Sequence, residues 1–330
     1  MGALCICVPP YPRLFLQLNR KFRVNRTRAH CSFSRKDILE RVDNELDRGN
    51  ERSAVSIIKE SDAIRCFGRA KQVPQKVYTL EELKLNGIET ETLLSPEDST
   101  LRLIERGLLF TISMGGLAAW NLLSLNPLHL LFFSLIILFL WTFDLIAFNG
   151  GLGFLLVDTI GNKLSSKYRN RVIQHEAGHF LVAYLIGILP KGYTLTSLEA
   201  LKNEGSLNIQ AGTSFVDFDF LEEVSTGKVS ATTLNRLSCV ALAGVATEYL
   251  YYKSAEGGLA DINKLDDLLK GLGFTQKKAE AQVRWSLLNT VFMLRRHEAT
   301  RVKLAEAMSS RKSVGSCIDV IEENIDYDKL

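Results

Sequence analysis

Two histidines four residues apart, with a glutamate beside the first, are the residues best suited to chemistry. They stand in Gln174-His175-Glu176-Ala177-Gly178-His179. Side chains at i and i+4 of an α-helix leave the same face, and that separation suits two imidazole nitrogens about 2 Å from one zinc ion. Glu176 follows the first ligand directly, so its carboxylate reaches the reacting water without binding the metal. The chemistry expected is hydrolysis of an amide. Zinc brings the pKa of its water to about 7 and polarises the carbonyl, while Glu176 takes the proton as general base and returns it to the leaving amine. Val172, Ile173, Phe180, Leu181, Val182, Leu185 and Ile186 surround the motif. A helix over Arg171–Leu189 that is apolar on most sides is a buried helix, and two histidines and a glutamate inside it need partners. Gly178 costs about 1 kcal/mol relative to alanine in a helix, and it permits close approach of a neighbour.

A hydrolytic zinc site takes three protein ligands and keeps a fourth position open. The chain has 5 histidines. Of the others, His297 lies in the charged stretch Arg295-Arg296-His297-Glu298, read as a solvated helix end; His129 lies in an apolar region, and His30 lies near the start. The third ligand is therefore expected to be a carboxylate. Glu248 is the only charged residue of Leu237–Tyr252. Asp261 follows Glu256-Gly257-Gly258-Leu259-Ala260, and Asp266 and Asp267 come after it. For Asp266 and Asp267 a helix-start charge is an equal reading. Cys5, Cys7, Cys31, Cys66, Cys239 and Cys317 form no C-x-x-C pair, so neither a disulfide framework nor a thiolate zinc site is expected.

The elements that must position this motif divide the chain into four expected parts. Residues 1–35 hold many arginines and no Asp or Glu, which reads as an organelle transit peptide. Eight of the 40 Lys+Arg fall in residues 1–36, leaving 32 basic against 37 acidic side chains elsewhere. That balance gives no reason to expect a nucleic-acid partner. Residues 36–100 read as a small helical and loop-rich module, with a short helix at Leu80–Leu85. Residues 103–160 read as a transmembrane hairpin. Gly107–Phe143 contains no Asp, Glu, Lys or Arg, and spans over 107–125 and 128–148 are each long enough for a bilayer. Asn126-Pro127 supplies the turn. Arg102 and Arg106 before the spans, and Lys163, Lys167, Arg169 and Arg171 after them, place both ends on one side. Residues 165–330 carry the motif in a mainly α-helical domain with a small β insertion. Gly192–Gly212 reads as strands and turns, and Thr232–Tyr252, Asp261–Leu269, Lys277–Arg296 and Ala299–Ser309 as helices. There is no G-x-x-x-x-G-K-[ST], so no nucleotide site is legible.

Gln174-His175-Glu176-Ala177-Gly178-His179-Phe180-Leu181-Val182-Ala183 resembles the zinc helix of the FtsH family of membrane metalloproteases, and Ala241-Leu242-Ala243-Gly244-Val245-Ala246-Thr247-Glu248-Tyr249-Leu250 resembles its later Gly-rich helix. The likeness covers roughly residues 170–300. It implies His175, His179 and Asp261 as zinc ligands, Glu176 as base and Glu248 in support, with polypeptides as substrates. The loop ending at Asp261 is similar to the family's aspartate segment. The family's ATPase module is missing here, and Tyr249 replaces its second glutamate. The layout is similar to the short, ATPase-lacking FtsH-like proteins of chloroplasts. That implies a thylakoid or inner-envelope membrane with the domain facing the stroma, and makes a separate ATPase or FtsH-type subunit a candidate partner. Two other readings compete with this one. One is a catalytically idle scaffold or assembly factor that keeps the protease fold. The other is an intramembrane site-2-type protease, disfavoured because Lys163–Arg171 separates spans from zinc helix and Asp261 is followed by Ile262.

Overall fold

A computed structural model describes residues 34–124, 126–205, 210–216, 218–226 and 228–330. The expected transit segment, with Cys5, Cys7, His30 and Cys31, falls almost wholly outside the described residues, as does Leu125 at the end of the first expected span.

The chain opens with α1 (Arg35–Asp47) and α2 (Glu51–Glu60), then the short α3 (Leu80–Leu85) and α4 (Thr90–Leu94). Two long apolar helices follow, α5 (Ser99–Leu123) and α6 (Pro127–Phe148), then α7 (Gly151–Leu164) and the motif helix α8 (Ser166–Ile186). Strand β1 (Leu189–Tyr193), α9 (Ser197–Glu204), β2 (Thr213–Val216) and α10 (Phe218–Ser225) form the insertion. The remainder is helical: α11 (Ala231–Ala241), α12 (Ala243–Tyr252), α13 (Leu259–Gly271), α14 (Gln276–Arg296), α15 (Glu298–Ser309) and α16 (Val314–Asn324). The mainly helical class with one small antiparallel sheet is as expected.

Helix α8 is the axis of the fold. The Ser165 hydroxyl accepts from Tyr168 N at its start, and Gly187 ends it with φ +90°, a conformation cheap only for glycine. Gly68 N and Ala70 N donate to the carbonyls of Tyr184 and Leu185 in the last turn, which would otherwise be orphaned. Phe180, Leu181, Tyr184 and Leu185 belong to one core with residues of α1, α2, α15 and α16. Val182, Ala183 and Ile186 belong to a second core with α3, α4, α11, α12, α13 and α14. Packing on both sides explains why the helix is apolar nearly all round. It also revises the expected organisation, because Leu39, Val42, Ala54 and Ile58 of the 36–100 segment share a core with Phe180. The described residues from Ser34 to Leu330 form one compact unit.

On its α12 side, α8 approaches closely at Gly178. A Cβ there would meet Thr247 Oγ1 and the Ala243 carbonyl inside 3.0 Å. Overpacking of that kind costs about 1–3 kcal/mol, which outweighs the roughly 1 kcal/mol of helix propensity that alanine would add.

Several boundaries differ from expectation. The motif helix starts at Ser166, not Arg171, and ends at Ile186; Leu189 begins β1. The insertion holds a helix, α9, because the Thr196 hydroxyl accepts from Glu199 N while the Glu199 carboxylate accepts from Leu195 N. The run Thr232–Tyr252 is two helices that meet at Leu242. His297 is buried at the junction of α14 and α15, not solvated.

Among the described residues one helix, α6, is long and apolar enough to cross a membrane. Asn126 caps it through Leu128 N, with Pro127 at its first position. Its side chains are almost all exposed, Phe132, Phe133, Ile137, Phe139 and Trp141 among them. Helix α5 starts earlier than the expected span and carries Arg102, Glu105 and Arg106 in its first turns. Asp144, near the end of α6, is buried and accepts from Leu152 N and Gly153 N at 3.0 and 2.9 Å. It therefore caps α7.

Candidate metal centre

His175 and His179 leave α8 toward α12 and α13, and Asp261 comes to them from the first turn of α13. The His175 Nε2 and His179 Nε2 atoms lie 3.0 Å apart. Asp261 Oδ2 is 3.5 Å from the first and 3.4 Å from the second. Ligand bonds of about 2.0–2.1 Å to a tetrahedral ion give edges of about 3.3 Å, so the triangle has the size of one face of a zinc site.

The other imidazole nitrogens fix the tautomers. Val240 O, which can only accept, lies 2.8 Å from His179 Nδ1. Nδ1 therefore carries the hydrogen, and the Nε2 lone pair of the neutral ring points at the triangle. The break at Leu242 makes this possible, since Val240 lies in the last turn of α11, where carbonyls lack intrahelical partners. His175 Nδ1 donates to Glu248 Oε1 at 2.7 Å, which turns its Nε2 inward as well. Two lone pairs converging at 3.0 Å beside a carboxylate repel each other unless a proton or a metal ion lies between them. The donor set, its spacing and its outer hydrogen bonds all fit zinc. His175, His179 and Asp261 are the one such cluster found among the described residues.

Glu248 lies behind His175, away from the triangle. Oε2 pairs with Arg171 Nη1 at 2.9 Å and accepts from Glu256 N at 2.8 Å, and Oε1 accepts from Gly257 N at 3.2 Å. One carboxylate thus orients a candidate ligand and holds the loop that delivers Asp261. Burial by itself would raise the pKa of Glu248, but the hydrogen bonds from His175, Glu256 and Arg171 outweigh it and hold it at about 2. Burial likewise opposes ionisation of Asp261, and its contacts with both histidines carry it well below the carboxylate range. Burial disfavours a charged His175, yet Asp261 and Glu248 raise its pKa well above the usual value. A proton therefore competes with a metal for this centre. Asp266 and Asp267 stay outside the cluster.

The His175 ring is packed between glycines. A Cβ at Gly244 would overlap its Nε2, Cδ2 and Cε1, and one at Gly258 would meet Cε1 at 3.0 Å. Any larger residue there would push the imidazole off the triangle.

Glu176 is 4% exposed and lines the same cavity as the triad. Its Oε2 accepts from Thr213 Oγ1 at 2.8 Å, so β2 of the insertion orients the candidate base. The cavity measures about 850 Å³ and is walled by α8, β2, α11 and α13, with α7 at one end.

Arg171, Thr213, Glu256 and the Val240 carbonyl were not legible as site groups. By its charge and position Arg171 reads as a membrane flank. Instead it is buried, pairs with Glu248 and Glu256, and lies over the Tyr252 ring. Its place four residues before His175 put it on the metal face of the helix, and that signal was available. The thiols of Cys66, Cys239 and Cys317 are free and buried, and burial pushes Cys66 and Cys317 up to about 12.

Comparisons with protein-family models, curated proteins and solved structures return no match for this chain.

Proposed function

We propose that this chain is a membrane-anchored zinc metalloendopeptidase that cuts unfolded or delivered polypeptides without an ATPase of its own. The observation that carries the reading is the triangle of His175 Nε2, His179 Nε2 and Asp261 Oδ2, with both Nδ1 atoms engaged outward. Zinc, when bound, supplies water activation at neutral pH and carbonyl polarisation. Everything else falls to the chain. Glu176, oriented by Thr213, takes the proton of the attacking water and delivers it to the leaving nitrogen. Glu248 and Arg171 hold the His175 ring and the Ala255–Gly258 loop in register. The cavity, about 850 Å³ and lined by the triad and Glu176, keeps the scissile bond over the triad.

The membrane part of the reading is a hairpin of α5 and α6. Its support is the exposure of Leu109, Phe110, Ile112, Met114 and Leu117 on α5, together with the apolar length of α6. Glu256 ties the domain to this region, accepting from Ser99 Oγ at 2.9 Å and from Thr100 N at 3.3 Å at the start of α5. The Arg-rich start and the FtsH-like motifs favour a chloroplast membrane with the domain on the stromal side.

The test is metal analysis of the purified full chain in detergent, with cleavage of an unfolded polypeptide. One zinc per chain and ATP-independent cleavage are expected. Zinc without cleavage would favour the scaffold reading.

A further inference from the structure

One stripe of α8 lines the cavity: Tyr168, Arg171, Val172, His175, Glu176 and His179. The last three belong to the metal centre. Tyr168 lies seven residues before His175, two turns back on the same face, or about 10 Å along the axis. At that end of the cavity α7 and α9 contribute Phe154, Asp158 and Ser197.

Asp158 is 2% exposed. Oδ1 accepts from Tyr168 OH at 2.8 Å and from Asn162 Nδ2 at 3.0 Å, and Oδ2 accepts from Ser197 N at 2.9 Å. A carboxylate has about four acceptor positions, so these bonds leave one open. No Lys or Arg among the described residues pairs with it. The Ser197 hydroxyl, also 2% exposed, has no hydrogen-bond partner among the described residues although it lines the cavity. A buried carboxylate lacking a cation, beside a buried hydroxyl lacking any partner, is costly unless something fills the place. The cavity as a whole favours a positive guest. Asp98, Asp158, Glu176, Glu248, Glu256 and Asp261 line it against Arg171 and Lys264, and a divalent ion on the triad leaves it still negative. Phe154 and Val172 offer apolar surface for an aliphatic stem.

We propose that Asp158 and Ser197 form a specificity subsite for a lysine or arginine side chain of the bound polypeptide. This rests on the peptidase reading. Extended chain rises about 3.3 Å per residue, so the basic residue stands about three positions from the scissile bond.

The test is peptide binding by the full chain in detergent, in a Glu176→Gln background so that nothing is cut. Labelled unfolded peptides carry a single lysine at successive positions, and the reference peptide has glutamine there. At one position lysine binds on the order of 10- to 100-fold tighter, as a hydrogen bond to a charged group implies. Asp158→Asn abolishes that preference, and Ser197→Ala reduces it. Because Asp158 also holds Tyr168 and Ser197, its variant is checked for folding by circular dichroism. Ser197→Ala removes no side-chain bond and stands as the independent probe. Equal binding of lysine and glutamine peptides at every position overturns the subsite, as does a preference unchanged in both folded variants. Binding needs no hydrolysis, so the two claims separate. Lysine preference in a chain that never cleaves peptides keeps the subsite and retires the peptidase, whereas cleavage without the preference does the reverse.

Discussion

Replacing Gly244 by alanine tests whether the His175 ring is held where a metal requires it. A Cβ at Gly244 would stand 2.1–2.4 Å from its three nearest neighbours, about 1 Å inside the 3.4 Å at which ordinary contact begins, and all three belong to the imidazole. The ring cannot slide away easily. Glu248 holds Nδ1 at 2.7 Å, and Gly257 and Gly258 close the other side. Metal–ligand distances tolerate about 0.2 Å, so a displacement of that size removes His175 from coordination. Disturbing an outer partner of a ligand costs about 10- to 100-fold in metal affinity. Displacing the ligand itself should cost at least about 100-fold. The fold should survive, because alanine gains about 1 kcal/mol of helix propensity against an overpacking cost of about 1–3 kcal/mol. The assay is zinc competition against a chromophoric chelator, with thermal unfolding of the zinc-free protein as control. A folded Gly244→Ala chain binding zinc within about threefold of the parent, under 1 kcal/mol, would refute the reasoning.

Asp261→Ala should strip zinc, while Glu248→Gln should retain most of it with affinity lower by about 10- to 100-fold; metal analysis after gel filtration reads both, and the opposite pattern would exchange the two roles. Protease added to sealed vesicles of one orientation should digest both the 36–100 segment and the α8–α16 region or neither, and digestion of one alone would exclude the α5–α6 hairpin. Burial, with Glu256 and Glu248 nearby, raises the Asp98 pKa despite the bond from Leu101 N. The folded state therefore binds that proton more tightly than the unfolded state, and ionised Asp98 lowers stability above its folded pKa. Asp98→Asn, which keeps a capping oxygen, should raise the unfolding temperature at pH 7 and lose that advantage below about pH 3.9; a drop at pH 7 would contradict this.

The histidine pair and its glutamate were legible because spacing on a helix is local and the residue types are rare. The apolar character of α6 was equally plain, since nothing but composition decides it. Asp261 ranks above Glu248 through its place after the Gly257-Gly258 loop and through family likeness, because a carboxylate reaching across from another helix leaves no periodic trace. The bend at Leu242 was invisible for a related reason: Leu237–Tyr252 stays apolar through it, and only the Val240 carbonyl on His179 shows what the bend is for. Helix α9 was missed although Thr196 and Glu199 spell a start signal. The sharing of one core by α1, α2, α8 and α16 is long-range packing, to which sequence pattern is blind.

The central claim is that Glu176 works on a metal held by His175, His179 and Asp261. Its most direct test is hydrolysis of an unfolded polypeptide by the full chain and by Glu176→Gln, with zinc measured in the same samples and no nucleotide added. Cleavage by the parent, one zinc per chain in both proteins, and a rate lower by about 10²- to 10⁴-fold in the variant are expected. A zinc-loaded parent that leaves unfolded substrates intact, or a variant that cleaves as fast as the parent, would contradict it.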